Sequence, residues 1–277
     1  MLFSTVRNVT GVLYFTALSC LAGPPTKTQP YFPNPFTRHV RPAQPGNPAI
    51  VNAASFLPGI TPGGLASVFS QDLLSIDGTI SASATPLPTE IAGVSVAING
   101  IDAPLLVVSN IDGQDQINLQ VPWETPTGPR AATIDIYDGE DLVATFETDS
   151  YTEDPGIFTY RGYALAIRYA NSRLVGRDNP VSPGDVIILY TTGLGPVSVD
   201  VPNGVPGPAD PLAYTEDPFD ATVFGKRCDV LFSGLAPGFT GLYQLNLVLP
   251  DDLPPGDLDI QISTPYAVSG IAKLPVE

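Results

Sequence analysis

The chain has 277 residues, 43% of them apolar, which is enough for one large or two ordinary domains with real cores. Twenty-eight acidic against twelve basic residues give a net charge of −16, and such a surface repels phosphate backbones, which argues against nucleic acid as a partner. The 31 prolines and 26 glycines punctuate apolar, β-branched runs, and no window shows sustained helical periodicity, so the composition points to an all-β protein.

The charge is unevenly placed. Residues 1–41 hold only Arg7, Lys27, Arg38 and Arg41, while every acid lies from Asp72 onward, leaving a body of about −20 behind a front end of +4. Residues 1–22 read as a secretory signal: one positive residue, a mainly apolar run from Val9 to Ala22 that is short for a membrane span, then small residues before Gly23-Pro24-Pro25. Two fates follow for Cys20. It leaves with a signal cleaved after Ala22, or it carries lipid, since Ala17-Leu-Ser-Cys20 resembles a bacterial lipoprotein box whose leucine sits one position too close to the cysteine. That lipid would be the chain's membrane attachment.

Residues 23–48 contain eight prolines and no strand-length apolar run, as expected of an extended arm. Two readings stand for it: a plain spacer or linker, or a candidate assembly arm whose Tyr31, Phe32 and Phe36 dock on a neighbouring subunit or on the acidic body.

From Ala49 the pattern becomes regular, and it occurs twice. Pro62-Gly-Gly-Leu-Ala-Ser-Val-Phe is answered by Pro183-Gly-Asp-Val-Ile-Ile-Leu-Tyr190. Gly93-Val-Ser-Val-Ala-Ile98, Asn99-Gly100 and Ala103-Pro-Leu-Leu-Val-Val108 form a predicted hairpin, because Asn-Gly tolerates the positive φ of a type I′ turn. Its counterpart is Ala221-Thr-Val-Phe-Gly225 followed by Cys228-Asp-Val-Leu-Phe232. The central strand Asp115-Gln-Ile-Asn-Leu-Gln-Val-Pro122 returns as Tyr243-Gln-Leu-Asn-Leu-Val-Leu-Pro250, alternating with period two and stopped by proline. Ala132-Thr-Ile-Asp-Ile-Tyr137 and Leu142-Val-Ala-Thr-Phe-Glu-Thr148 match Leu258-Asp-Ile-Gln-Ile262 and a closing strand expected over Ala267-Val-Ser-Gly-Ile-Ala272. An additional hairpin is expected at Asn171-Ser172, and residues 193–219 give no regular pattern. The expected architecture is two tandem immunoglobulin-like β-sandwiches, over residues 49–154 and 155–277, behind the signal sequence and the arm.

The motifs Ile50-Val-Asn-Ala-Ala-Ser-Phe56, Pro155-Gly-Ile-Phe-Thr159, Thr192-Gly-Leu-Gly-Pro196 and Gly234-Leu-Ala-Pro-Gly-Phe, with Gly241-Leu-Tyr-Gln-Leu-Asn246 and the repeated strand, occur in order from Ala49 to Glu277. In this the chain resembles the Solibacter-type C-terminal domain family of acidobacterial exported proteins, which is similar to tandem IPT/TIG immunoglobulin-like folds. The resemblance implies a bacterial secreted or cell-surface protein, all-β, of a module usually appended to larger chains. It brings no activity and no catalytic residues. Only a short arm precedes the module here, which departs from that arrangement.

Catalytic chemistry finds little to build on. The single histidine, His39, lies in the arm, so Ser-His and Cys-His nucleophiles lack their base and zinc lacks ligands. Cys228 reads as a small buried hydrophobe. Two surface readings stand beside each other for the central strand. Gln116, Asn118 and Gln120 face away from the core and Trp123 follows, a set suited to glycan hydroxyls and CH faces; the alternative is a solvated sheet face with Trp123 packed at the interdomain junction. The acidic loops Asp112-Gly-Gln-Asp115, Asp138-Gly-Glu-Asp141 and Glu216-Asp-Pro-Phe-Asp220 are candidates for Ca²⁺, although ordinary turn chemistry explains Asp-Gly equally well, and no other cofactor is expected. The sequence thus predicts a non-enzymatic exported protein acting in surface adhesion or assembly, with extracellular protein, polysaccharide or a second copy of itself as partner.

Overall fold

The computed structural model describes residues 48–277, and among them there are strands and turns but no helix. The first half builds two facing antiparallel sheets. One has the order Ala49–Asn52, Leu65–Gln71, Gln114–Gln120, Leu105–Ile111, Gly78–Ser81; the other has Asp141–Ser150, Gly128–Asp138, Val94–Ile98, Glu90–Ile91, with Ile101–Asp102 also paired to Val94–Ile98. Period-two alternation decides which side chains lie between them. Val68, Val108, Ile117 and Leu119 point inward from one sheet and meet Val96, Ile98, Ile134 and Ile136 from the other.

The second half repeats the plan. Arg173–Leu174, Ala166–Arg168, Val186–Thr192, Tyr243–Val248 and Asp229–Leu235 form one sheet in that order, and Lys226–Arg227, Asp220–Val223, Gly256–Ser263 and Ala272–Val276 the other. Ile187, Leu189, Leu245 and Leu247 interdigitate with Val223, Ile260, Ile262 and Leu274. The protein is a pair of immunoglobulin-like sandwiches, as the alternation predicts.

Corresponding backbone bonds, one of them with its acceptor shifted by a residue, show how closely the second copy follows the first. Gly63 N–H donates to Val121 O (2.9 Å) and Gly184 N–H to Pro250 O (3.2 Å); Val121 N–H donates to Gly64 O (2.9 Å) and Leu249 N–H to Asp185 O (2.8 Å). Gly63 and Gly184 both adopt positive φ, at 73° and 77°, which is why a glycine follows the proline in each copy. Each sandwich is closed by its last strand returning in parallel beside its start, Ser150 against Ile60 and Val276 against Val181. The hairpin turns Asn99-Gly100 and Phe224-Gly225 share the type I′ signature, with φ of 52° and 76° in the first and 54° and 73° in the second. Near Asn171-Ser172, Arg168 pairs with Arg173 as expected.

The closing strand of the second copy departs from expectation. It is Ala272–Val276, not 267–272: the earlier stretch folds back on Ser263 through Val268, and Ser269 Oγ accepts the Ile262 N–H at 3.0 Å. Pro275 is tolerated within it because the strand lies at a sheet edge.

Candidate functional site: the seam between the sandwiches

A third apolar cluster belongs to neither sandwich alone. Ala53, Ala54, Leu65 and Leu106 from the first half pack with Phe158, Leu165, Ile167, Ile188, Tyr190, Ala236 and Phe239 from the second. Burying large apolar side chains contributes about 1.5–3 kcal/mol each, so this cluster holds the two bodies together as a core would. The outer face of one sheet is thereby covered by the other half of the molecule.

Polar groups complete the seam. Asn52 turns its own loop by accepting the Ala54 and Ser55 N–H groups at 2.9 and 3.1 Å, and its Nδ2 donates to Asp154 O at 2.7 Å. Asp154 N–H in turn donates to Gly193 O at 2.9 Å. No side chain fits at 193, where φ is +76° and a Cβ would stand 2.2 Å from Asp154 O. Gly156 is required for another reason: its backbone lies so close to Asn52 that a Cβ would be 2.6 Å from Oδ1. Thr192 Oγ1 accepts the Leu65 N–H (2.8 Å) and donates to Gly241 O (3.1 Å), joining three strands of chain at one hydroxyl. Residues quoted from separate stretches of sequence, Asn52, Gly156, Thr192, Gly193 and Gly241, therefore meet at this one place.

The irregular segment 193–219 supplies the other side. Gln120 Nε2 donates to Gly63 O at 3.3 Å, and Oε1 accepts the Gly204 N–H at 2.7 Å. Asn203 Oδ1 accepts the Trp123 N–H at 2.9 Å, while its Nδ2 donates to Glu124 Oε2 at 2.7 Å. The Trp123 ring lies over Gly63, where a Cβ would fall 2.1 Å from it, and packs against the core cluster of the second sandwich.

These contacts correct the expectation of an open amide strip. Asn118 and Gln120 are 2% and 1% exposed. Asn118 Oδ1 accepts from Ser67 Oγ (2.7 Å) and from Gln116 Nε2 (2.9 Å), and only Gln116 stays half-exposed. The amides are buried because the second sandwich covers the face that alternation alone would leave to solvent, and Trp123 takes the interdomain position.

The remaining candidates divide. Tyr31, Phe32, Phe36, Cys20 and His39 lie outside the described residues, with the signal sequence and the arm. In the acidic loops, Asp112 and Gly113 form a positive-φ turn, Asp115 Oδ2 accepts Leu73 N–H (2.7 Å) and Ser70 Oγ (3.0 Å), and Asp138 Oδ2 accepts Ser75 N–H (2.7 Å). Those carboxylates hold loops together, and no group of three or more His, Cys, Asp or Glu side chains gathers for a metal among the described residues. Cys228 is 7% exposed, and burial, with Asp229 beside it, pushes its thiol up to about 12, which keeps it protonated and inert. No helix of the described residues is long and apolar enough to cross a membrane.

Sequence reasoning passed over Glu153. Its side chain lies in the linker between the sandwiches, is 3% exposed, and neither carboxyl oxygen has a hydrogen bond of good geometry. The hint available in the sequence was a glutamate beside Asp154-Pro155-Gly156 at the junction of two repeats.

No protein-family model matches the chain, and no curated protein matches it. Among solved structures it is similar to the I9-I11 tandem of titin at 12% identity, over 79% of this chain and 62% of that one, with a TM-score of 0.21. It is also similar to the Escherichia coli adhesin FdeC, at 11% identity over 84% of this chain and 65% of that one, TM-score 0.25. For the Yersinia pseudotuberculosis adhesin InvE the values are 14%, 83%, 58% and 0.21. The chain thus spans less than two thirds of each of these three structures.

Proposed function

We propose that this chain is an exported, non-enzymatic module of the Solibacter type whose working property is stiffness: two sandwiches welded into one body that holds a surface for adhesion or assembly outside the cell. The observation that carries the reading is the seam. Thr192 and Gln120 each accept a backbone N–H from across the joint, and its glycines admit no side chain, so the body resists bending where a tandem of independent domains would hinge. The leader-like residues 1–22 and the proline-rich stretch that follows support export, and the ordered motifs that meet at the seam support the family. The test has two parts. Expressed in a bacterial host with residues 1–48 in place, the protein is expected in the envelope or culture fluid, and small-angle scattering of that product should fit one rigid two-lobed body. Retention in the cytoplasm, or scattering that requires an ensemble of interdomain angles, would count against it.

A second reading is favoured by one edge. The strand Asp229–Leu235 ends its sheet, and only its second half is covered, by Thr215 N–H donating to Ser233 O at 3.1 Å and Leu235 N–H to Ala213 O at 2.9 Å. Asp229, Val230 and Leu231 are left exposed, a half-edge open to strand addition from another copy. Deleting residues 23–48 and finding the oligomeric state unchanged by light scattering would remove the arm as the added strand.

A further inference from the structure

The acidic body carries a basic stretch, and it lies on the second sandwich. Residues 155–180 hold Arg161, Arg168, Arg173 and Arg177 beside a single acid, Asp178, while 27 of the 28 acids lie elsewhere. Two of these arginines frame a pair of tyrosines. Strands Thr159–Tyr160 and Tyr163–Ala164 are joined through Arg161-Gly162, whose φ of 51° and 85° fit a type I′ turn. Tyr160 stands directly opposite Tyr163, so both rings leave the same face of the hairpin. The Arg161 guanidinium lies over the Tyr160 ring, 5.1 Å from its centroid. Arg177 Nε donates to the Tyr163 hydroxyl at 2.6 Å, that hydroxyl donates to Asp257 Oδ2 at 3.1 Å, and Arg177 Nη2 stands 3.6 Å from the same oxygen.

Both guanidinium groups are oriented yet face water. A guanidinium stacked on a ring keeps its N–H donors in its own plane, aimed at whatever lies beside the ring, and Arg161 is exposed. The Arg177 side chain is 79% exposed although two partners fix its direction. An exposed ion pair of this kind contributes at most about 1 kcal/mol, so anchoring the hairpin accounts for little of the arrangement. The arm brings no carboxylate side chain to these arginines, because the first acid of the chain is Asp72. An anion carried on sugar suits the patch. The forked donors fit a carboxylate or a sulfate, the half-buried Tyr163 ring offers an apolar face to sugar C–H groups, and Asp257 stands beside them as an acceptor for hydroxyls. The acidic surroundings exclude a phosphate backbone, whose charge is denser. An acidic protein would supply carboxylates but no hydroxylated ring for the tyrosine.

We propose that the hairpin Thr159–Ala164, with Arg177 and Asp257, is a binding site for an acidic polysaccharide. Arg161 and Arg177 pair with its carboxylate or sulfate groups, Tyr160 is the platform that orients Arg161, and Tyr163 both orients Arg177 and packs against a sugar ring. Arg173, exposed on the next hairpin, adds to the positive potential. The two guanidinium groups are held in place before the ligand arrives, which lowers the entropy cost of binding. The site gives the proposed adhesion a ligand class, and rests on that reading.

The test is titration calorimetry of the full chain with polygalacturonate, dextran sulfate, neutral dextran and poly-L-glutamate. Beside it stand R161N, R177Q and two variants that lose the same charge elsewhere, R41A in the arm and R130A on the first sandwich. Asparagine tolerates the left-handed φ of position 161, so the turn is kept. The site predicts binding to polygalacturonate, to dextran sulfate or to both, weakening as salt is raised, with none to dextran or poly-L-glutamate. R161N and R177Q should each bind about tenfold more weakly, while R41A and R130A match the native protein. Which acidic polymer binds identifies the anion as carboxylate or sulfate. If R177Q does not fold, R161N decides, with a native Tm as the check on its turn. No binding to either acidic polymer would overturn the site. Equal losses in all four variants would also overturn it, by making the attraction one of diffuse charge, and so would equally tight binding to poly-L-glutamate, by making the partner an acidic protein. None of these results bears on envelope fractionation or scattering, so loss of the site leaves the rigid exported body standing. A cytoplasmic product that still bound the polymer would instead remove the export reading and leave the site.

Discussion

The two central strands begin alike and end differently. In both, a glutamine donates to the asparagine two residues on, Gln116 to Asn118 at 2.9 Å and Gln244 to Asn246 at 2.8 Å. In the first copy the next positions are Gln120 and Trp123, which reach across to Gly204 and Asn203; in the second they are Val248 and Asp251, and Asn246 and Val248 stay half-exposed. One scaffold thus carries one strand that ends as adhesive and one that ends at the surface. The difference teaches that the joint is made by a few substitutions on a shared frame, with the irregular segment 193–219 supplying the partners.

That comparison can be broken most severely at Gly193. In Gly193→Val the side chain must displace Asp154 O and adopt an unfavourable φ, and we expect a loss of more than about 3 kcal/mol, read by urea denaturation. Trp123→Ala should cost about 2–3 kcal/mol, because the ring is partly buried against the second core, whereas Asp251→Ala at the matching position of the other copy should stay within about 0.5 kcal/mol. Gln120→Ala leaves the Gly204 N–H without its acceptor and should cost about 1–3 kcal/mol. Smallest of all, Cys228 should react with a maleimide far more slowly than a free thiol until denaturant is added, with no change in stability beforehand.

Much of the fold is legible in the sequence because its signals are local. Period two places Ile117, Leu119, Leu245 and Leu247 in cores, and Asn99-Gly100 sets a turn by its own backbone preference. The seam is not local. Nothing within Gln116-Ile-Asn-Leu-Gln-Val-Pro122 distinguishes an amide that meets water from one that meets Gly204, eighty-four residues away. The closing strand is only partly local: Ala267-Val-Ser-Gly-Ile-Ala272 looks like a strand by composition, yet Val268 and Ile271 are exposed, and it is Ala272–Val276 that pairs with the preceding strand Gly256–Ser263 and also meets the far-removed Val181. The burial of Glu153 is not legible either, because a glutamate in a linker reads as solvated until the fold closes over it.

The central claim is that the sandwiches share one stability. The sole tryptophan sits in the seam, so the direct measurement is urea unfolding of the full chain followed by Trp123 fluorescence and by far-UV circular dichroism in the same samples. The account predicts one superimposable transition. A tryptophan signal that changes at lower urea than the strand signal would show the joint parting while both sandwiches stand, and would contradict it.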